Sequence, residues 1–248
     1  MSKIAVTGSR GRMGKRVVEL LGKDKTVSLA AEVDIGDSLE DVIDGVSVVI
    51  DFTVPEAAVQ NALIAARHKK NIVIGTTGLN KEHEKILLEA SKSAAVVYSP
   101  NMSVGVNIMF KCVELASKIF GKEFKVDIVE THHIHKVDKP SGTARKILDI
   151  VCQQSGRSLE KDVFFHDETT PLVRETDDPE ISIRSLRRGE VVGDHAVHFT
   201  SPFEILEIAH HASSRDVFAE GAIVAAKWAM HREPGFFDME DVLGLKKY

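Results

Sequence analysis

The side chains best suited to chemistry lie in one short stretch, residues 130–144, which has the sequence ETHHIHKVDKPSGTA. It places three histidines within four residues, then a lysine, then a Ser-Gly-Thr run where a helix is predicted to begin. Histidine gives or takes protons at neutral pH, and a nearby lysine can hold a carboxylate or deliver a proton. Hydroxyl and N–H groups at a helix N-terminus can also bind a carboxylate. The pattern therefore indicates acid–base chemistry on an anionic substrate. The candidate residues are His132, His133, Lys136, Ser141, Gly142 and Thr143.

The same stretch has two other interpretations. Histidines are good zinc ligands, but no cysteine accompanies these. If a strand continues through them, His133 and His135 share one face and His132 points to the other. We therefore expect no metal here and at least one purely structural histidine. Ser141 is also a typical N-cap residue, which is compatible with anion binding because several helix N–H groups stay free.

A glycine-rich loop near the N-terminus favours a dinucleotide. The run GSRGRMG follows a predicted strand and precedes a predicted helix. Glycines let the backbone approach a pyrophosphate, and the helix N-terminus supplies N–H donors. The spacing is GxxGxxG rather than GxGxxG, so a glycine turn without a ligand is the alternative. The candidate cofactor residues of this loop are Gly8, Ser9, Arg10, Gly11, Arg12 and Met13.

Asp34 lies twenty residues beyond Gly14, just after the second predicted strand. A carboxylate there would bind the adenine ribose hydroxyls and favour NADH, because it repels a 2′-phosphate. Arg10 and Arg12 act in the opposite sense, since guanidinium groups bind phosphate well. We therefore expect either NADH or NADPH to be used. Glu32 is a weaker candidate for the same role, and a turn-forming aspartate before a glycine is the structural alternative.

Two further loops follow predicted strands and belong to the same expected sheet edge. In open α/β sheets, ligands bind outside the carboxyl ends of the strands. Their small, polar residues suit a pocket for the nicotinamide and its ribose. The candidate residues are Gly75, Thr76, Thr77, Ser99, Pro100, Asn101 and Met102.

The elements that must position these residues fall into two groups. Residues 1–102 alternate between short apolar strands and helices, which predicts an α/β fold with a Rossmann-like, doubly wound parallel sheet. Residues 103–213 contain runs of strands with few helices, which predicts a second α+β domain with a mostly antiparallel sheet. Residues 214–248 are expected to return to the first, dinucleotide-binding domain. The acidic stretch 167–178 is expected to be a mobile loop.

Composition excludes several classes of protein. The net charge is -5, so no general basic surface exists for nucleic acid. No apolar run approaches the roughly 20 residues that span a bilayer. The chain enters its first strand without a hydrophobic leader, and its two cysteines show neither metal nor disulfide spacing. We expect a soluble cytoplasmic protein that takes a small-molecule substrate.

Several of these motifs resemble those of the dihydrodipicolinate reductase family, and the resemblance runs through essentially the whole chain. The stretch at residues 130–144 is its most specific part. The other motifs are GSRGRMG at 8–14, GTTG at 75–78, PNMSVGVN at 100–107, HHASSRDVFAEGA at 210–222 and GFFDMEDVLGL at 235–245. Two positions depart from the pattern: Met102 stands where a phenylalanine is expected, and Lys139 where an alanine is expected.

The resemblance implies a reductase of lysine and diaminopimelate biosynthesis. Its reaction would convert 4-hydroxy-tetrahydrodipicolinate, a cyclic dicarboxylate, to tetrahydrodipicolinate with NADH or NADPH and loss of water. It implies that His132 is the proton donor and acceptor, Lys136 a second proton donor, and His133 a contact to a substrate carboxylate. Gly142 and Thr143 would bind carboxylate too. The resemblance further implies a homotetramer built through the sheets of the second domain, and a hinge between the domains.

Two rival functions remain open on the residues alone. Another small-molecule dehydrogenase would fit the architecture, but a semialdehyde dehydrogenase needs a nucleophilic cysteine, and Cys112 and Cys152 both fall within predicted helices. A non-enzymatic nucleotide sensor would need neither His132 nor Lys136. Arg215 could bind substrate, but we favour a structural role for it.

Overall fold

The computed structural model describes residues 2–166 and 180–247 of the chain. The acidic stretch 167–178, which was expected to be a loop, lies outside them. The chain divides into two compact units, one formed by Met1–Val104 with Arg215–Tyr248 and the other by Gly105–Ser214. The boundaries expected from sequence lie within two residues of these.

The strands and helices follow one another in a regular order. In chain order they are β1 (Ser2–Thr7), α1 (Arg12–Leu21), β2 (Val27–Val33), β3 (Val48–Asp51), α2 (Pro55–Arg67), β4 (Asn71–Ile74), α3 (Lys81–Ala90), β5 (Ala95–Tyr98), α4 (Val104–Phe120), β6 (Lys125–His132), α5 (Gly142–Ser155), β7 (Val163–His166), β8 (Ile181–Arg187), β9 (Gly193–Thr200), β10 (Ile205–Ala212), α6 (Asp216–Ala229), β11 (Gly235–Phe237) and α7 (Met239–Leu243).

The first unit is a six-stranded parallel sheet in the order β11-β5-β4-β3-β1-β2. Because side chains alternate along a strand, Ile4 and Ala5 face opposite layers. Ile4 packs with α1 and α6, and Ala5 packs with α2. All of β3 is buried, as expected for a strand covered on both faces. The Rossmann-like prediction is confirmed, and β11 and α7 are additions that the sequence pattern did not indicate.

The second unit contains a five-stranded sheet in the order β10-β9-β6-β8-β7. The pairs β10–β9 and β9–β6 are antiparallel, whereas β6–β8 and β8–β7 are parallel. The sheet is therefore mixed, where we expected a mostly antiparallel one. The reason is α5, which follows β6 and returns the chain so that β7 runs in the same direction as β6. β7 itself was not predicted.

β6 places polar residues of the candidate site on the strand face that is buried in the second unit. Its side chains alternate strictly, with Val126, Ile128, Glu130 and His132 on the buried face. The first two pack against α4 and α5 in the core of this unit. The carboxylate of Glu130 and the imidazole of His132 thus lie on the same face of β6 as the apolar core residues, at the end of the strand.

Candidate active site

His132 is the last residue of β6, and the chain turns immediately after it. The N–H of Arg188 donates to the carbonyl of His132 at 2.8 Å, and the N–H of Lys136 donates to the carbonyl of His133 at 3.1 Å. The strand therefore does not continue through the histidines, and His133 and His135 do not share a strand face. His132 is buried, His133 is half-buried and His135 is exposed.

Glu130 is the centre of a buried hydrogen-bonded cluster. Its side chain is 0% exposed and accepts a hydrogen bond from Nδ1 of His132. Arg187 donates to both of its carboxylate oxygens, each at 3.1 Å, and the N–H of Ser141 donates to Oε1 at 3.3 Å. Burial raises the pKa of Glu130, but hydrogen bonds from His132 and Arg187 outweigh burial and lower that pKa to about 2. Glu130 is therefore an anion throughout the physiological pH range.

The partners of Glu130 define which nitrogen of His132 is available for chemistry. An ionised carboxylate can only accept hydrogen bonds, so Nδ1 of His132 must donate. Nε2 is then the nitrogen left to exchange a proton with a ligand. This is the arrangement that a general acid or base requires.

His195, on β9, is a neutral neighbour of this pair. Burial, reinforced by the charge of His132, lowers the pKa of His195 to about 3. Its ring lies edge-on to His132, with 5.1 Å between centroids. Its Nε2 is 3.2 Å from Oγ of Ser141, which also accepts from the N–H of Ala144 and so caps α5. Ser141 is thus buried and held by two partners, as its N-cap interpretation predicted.

The loop after β6 is tied to the same cluster through Arg187. Nε of Arg187 donates to the carbonyl of Lys136 at 3.1 Å, and a terminal nitrogen donates to the carbonyl of Asp138 at 2.5 Å. The ammonium of Lys136 lies 2.9 Å from the carboxylate of Asp138. Lys136 is therefore fixed in a loop whose backbone is anchored to a buried guanidinium.

The other predicted substrate residues sit at the beginning of α5 and in the turn. Gly142 is exposed and Thr143 is half-buried in the first turn of α5, next to Ser141. The structure thus brings His132 and Ser141 into contact with Glu130. Lys136 is connected to this cluster through Arg187, which donates to its carbonyl. Sequence reasoning assigned no role to Glu130, Arg187 or His195, although the two-residue spacing of Glu130 and His132 on a strand would have placed them on one face.

Glu130, His132 and His195 also offer one possible metal-ligating atom each, all within 4.8 Å of one another. Both oxygens of Glu130 already accept from the guanidinium of Arg187. A cation would have to displace that positive group, so the donor set suits an ion-paired cluster better than a metal.

In the first unit, the glycine loop has the backbone of a phosphate-binding turn. Gly8 has a φ of +71°, and a Cβ there would lie 2.3 Å from the carbonyl oxygen of Phe52. A Cβ on Gly14 would lie 2.0 Å from the carbonyl oxygen of Gly8. Only glycine fits these two positions, and the Gly11 that precedes α1 has no side chain to cap the helix N–H groups. These residues therefore fit the pyrophosphate of a dinucleotide.

Asp34 lies at the end of β2 beside this loop. Its carboxylate accepts from the N–H of Arg10 at 2.6 Å and from the N–H of Ile35 at 2.8 Å. The hydrogen bond from Arg10 lowers the pKa of Asp34. The guanidinium of Arg10 pairs at 3.1 Å with Asp37, a residue that sequence reasoning did not select. The structure thus brings together Arg10 and Asp34, two of the predicted cofactor residues.

Asp51, at the end of β3, is another residue that sequence reasoning missed. Its buried carboxylate accepts from hydroxyls of Thr7 at 2.6 Å and Thr76 at 2.7 Å, and from the amide of Asn61 at 2.7 Å. It therefore ties together the carboxyl ends of β1 and β3 and the loop after β4. The hydroxyl of Thr76 points inward, so Thr76 shapes the loop rather than offering its side chain to a ligand.

The remaining predicted cofactor residues differ in exposure. Met102 is 2% exposed and packs in the core with α6, so only its backbone is available. The hydroxyl of Ser99 donates to the carbonyl of Asn101 at 3.0 Å. Exposed or half-buried residues are Arg10, Arg12, Met13, Gly75, Thr77, Pro100 and Asn101, whereas Ser9 and Ser99 are buried.

Comparison with known proteins places the whole chain in one family. Residues 2–102 match the family described as dihydrodipicolinate reductase, N-terminus, and residues 105–243 match dihydrodipicolinate reductase, C-terminus. The 4-hydroxy-tetrahydrodipicolinate reductase of Geobacter sulfurreducens is 39% identical over 268 aligned positions, covering 99% of this chain and 100% of the relative. That of Geotalea uraniireducens is 40% identical over 269 positions, with the same coverage.

Solved structures support the same fold. A dipicolinate-bound dihydrodipicolinate reductase from Paenisporosarcina sp. TG-14 superposes with a TM-score of 0.76 at 21% identity, covering 96% of this chain and 97% of that one. A probable dehydrogenase from Thermotoga maritima superposes with a TM-score of 0.63 at 14% identity, covering 97% and 92%. With both of its units matched and relatives near 40% identity over their full length, the chain belongs to the dihydrodipicolinate reductase family.

Proposed function

We propose that this chain reduces 4-hydroxy-tetrahydrodipicolinate to tetrahydrodipicolinate with NADH or NADPH, releasing water, in the biosynthesis of diaminopimelate and lysine. The observation that carries the proposal is His132, held by a buried carboxylate beside a helix start, in a chain that belongs to a family of such reductases. When bound, the reduced nicotinamide supplies the hydride that the ring accepts.

The residues of the first unit hold the cofactor. The backbone of Gly8–Met13 and the start of α1 would bind the pyrophosphate, and Asp34 the adenine ribose. The loops at 75–77 and 99–102 follow β4 and β5 at the carboxyl edge of the sheet, where a nicotinamide ribose would lie. Asp51 maintains the shape of this edge through Thr76.

The residues of the second unit bind the substrate and move protons. Loss of the 4-hydroxyl with a neighbouring ring hydrogen, as water, would give a conjugated ring. Addition of hydride to that ring leaves electron density that must be protonated, and Nε2 of His132 would deliver that proton. Lys136 is a second donor. A positioned acid of this kind accelerates reactions by about 10²–10⁴-fold, or roughly 3–5 kcal/mol.

The two substrate carboxylates need cations and N–H donors. Gly142 and Thr143 would supply N–H groups at the first turn of α5, where the helix dipole also favours an anion, and His133 would contact a carboxylate from the turn after β6. The N–H of Ser141 already donates to Glu130, so Ser141 would act by capping and holding this turn. Binding the ring by both carboxylates restricts it to one orientation, which raises the rate by proximity.

We also propose a cytoplasmic homotetramer that assembles through the second-unit sheet. β10 is an edge strand of that sheet, and its side chains are largely exposed, including Ile205 at 66%. Exposed apolar groups on an edge strand are typical of an interface. Both cysteines are free thiols, as is usual in a reducing compartment. Among the described residues, no helix is long and apolar enough to cross a membrane.

The test is a coupled assay. Pyruvate and aspartate semialdehyde, with a dihydrodipicolinate synthase, generate the unstable substrate in place, and loss of reduced-nicotinamide absorbance is followed with NADH and NADPH separately. We expect oxidation that depends on this protein. Absence of oxidation from folded protein that still binds both cofactors would reject the reductase and favour the nucleotide sensor.

A further inference from the structure

We propose that Glu130 is a positioning residue for this reaction: it sets the tautomer of His132 and holds the histidine, the start of α5 and the lysine-bearing loop on one carboxylate. The inference rests on the proposed function for its catalytic meaning. Its structural content rests on contacts within the second unit alone.

The burial of Glu130 requires an explanation. It follows Ile128 on the core face of β6, a position where the preceding residues are apolar. A fully buried carboxylate persists only when hydrogen bonds and cations compensate for its lost hydration. Three of the partners that do so here, His132, Ser141 and Arg187, belong to the proposed site or bind the backbone of its loop, and Ser185 on β8 adds a further hydrogen bond.

The first contact fixes His132. Because Glu130 accepts from Nδ1, the proton of neutral His132 resides on Nδ1 and the lone pair on Nε2. Protonation at Nε2 then creates the acid that the ring needs. The charged and titratable groups around this pair are Arg187 on β8, His195 on β9, and Lys136 in the loop after β6. His195 stays neutral and so does not compete for the carboxylate.

The second contact fixes the position of the first turn of α5. The N–H of Ser141 donates to Oε1 of Glu130, while the hydroxyl of Ser141 caps the N–H of Ala144. The first turn of α5, which is the proposed carboxylate site, is therefore attached to the same group that orients His132.

The third contact reaches Lys136. Arg187 uses two nitrogens on Glu130 and donates to the carbonyls of Lys136 and Asp138. Glu130 neutralises the buried guanidinium, and the guanidinium in turn fixes the loop. One carboxylate thus aligns both proposed proton donors.

The contacts also predict what an amide at this position would do. Oε1 accepts from Ser141 and Arg187, whereas Oε2 faces His132 and Arg187. In Glu130→Gln the amide oxygen takes the Oε1 position, because the N–H of Ser141 can only donate there, whereas neutral His132 on the other side can change tautomer and accept. The NH2 group then faces His132, can only donate, and forces the histidine proton onto Nε2.

The decisive measurement is ¹⁵N NMR of the His132 side chain in the full-length protein, at a pH where the ring is neutral. We expect the Nδ1–H tautomer in the wild type and the Nε2–H tautomer in Glu130→Gln. The coupled assay should show kcat lower by on the order of 10²–10⁴-fold in the variant, with the KM for cofactor within about twofold of wild type. Glu123→Gln, an exposed residue ahead of β6, is the matched control and should change neither quantity.

Each outcome decides the inference. An Nε2–H tautomer in the wild type would overturn it, even if Glu130→Gln did not fold. A folded variant that keeps the wild-type tautomer or the wild-type kcat would overturn it as well. If the wild type shows the expected tautomer but no turnover, the proposed function fails while the positioning of His132 stands.

Discussion

The buried, neutral state of His195 makes the stability of the protein depend on pH in a way that can be calculated. The pKa of His195 is lowered from 6.5 to about 3 in the folded protein, chiefly by burial. Below pH 6.5 the unfolded chain binds a proton at this residue that the folded chain does not bind. Stability from this group is therefore present at neutral pH and is lost as the pH falls from about 6.5 towards about 3.

The magnitude between pH 7 and pH 5 depends almost wholly on the unfolded-state pKa, since His195 stays neutral in the folded protein at both values. Linkage then gives a loss of about 2 kcal/mol in the free energy of unfolding over this interval. Glu130, with a folded pKa of about 2 against 4.5, contributes its own loss in the same direction only below about pH 4.5. The interval from pH 7 to pH 5 thus excludes Glu130. The pKa of His210 is also lowered by burial, so the contribution of His195 is obtained from the difference between the wild type and a His195 variant.

The assay compares urea unfolding of the wild type and His195→Gln at pH 7 and pH 5. The free energy of unfolding of the wild type should fall by about 2 kcal/mol more than that of the variant, whatever the variant's absolute stability. His231→Gln, at an exposed position, should retain the wild-type dependence. If the free energy of unfolding falls by the same amount between pH 7 and pH 5 in the wild type and in His195→Gln, the claim that His195 is held neutral is refuted.

Four further substitutions test the proposed site. His132→Ala and Lys136→Ala should each lower kcat by on the order of 10²-fold or more, while calorimetry shows a cofactor Kd near that of the wild type. Loss of cofactor binding in both variants would contradict the assignment. Lys118→Ala is the control. Asp37→Asn should lower the KM for NADPH relative to the KM for NADH several-fold, because it releases the guanidinium of Arg10 and removes an anion near the proposed ribose position. An unchanged ratio of the two KM values in the coupled assay would exclude a role of Asp37 in cofactor preference. Asp51→Asn should destabilise the protein by about 1–3 kcal/mol and weaken cofactor binding, because the new NH2 group faces hydrogen-bond donors. A calorimetric cofactor affinity and a urea midpoint at wild-type values would argue against a supporting role for the hydrogen bonds to Asp51.

Local patterns in the sequence were sufficient for the elements and for part of the site. The apolar alternation along β6 is a local signal for a strand, and the turn geometry of Gly8 and Gly14 follows from a loop between a strand and a helix. Ser141 was recognisable as an N-cap because its type and position are both local signals.

The parts that could not be predicted depend on pairing between distant strands. Arg187 lies 57 residues from Glu130, and meets it only because β8 runs parallel to β6. Asp51 gives no local sign that three neighbouring segments of the sheet edge donate to it. The mixed character of the second sheet likewise depends on the crossover through α5.

The way the two units share the chain has a consequence for how the protein is made. The second unit is one continuous stretch, Gly105–Ser214, inserted into the first. The core of the first unit needs α6, whose Ala219, Ala222 and Ala226 pack beside Ile50. During synthesis, the inserted unit is complete before α6 has emerged, whereas β1–β5 must wait with one face uncovered. We therefore expect the inserted second unit to finish folding ahead of the first unit, within which it is inserted.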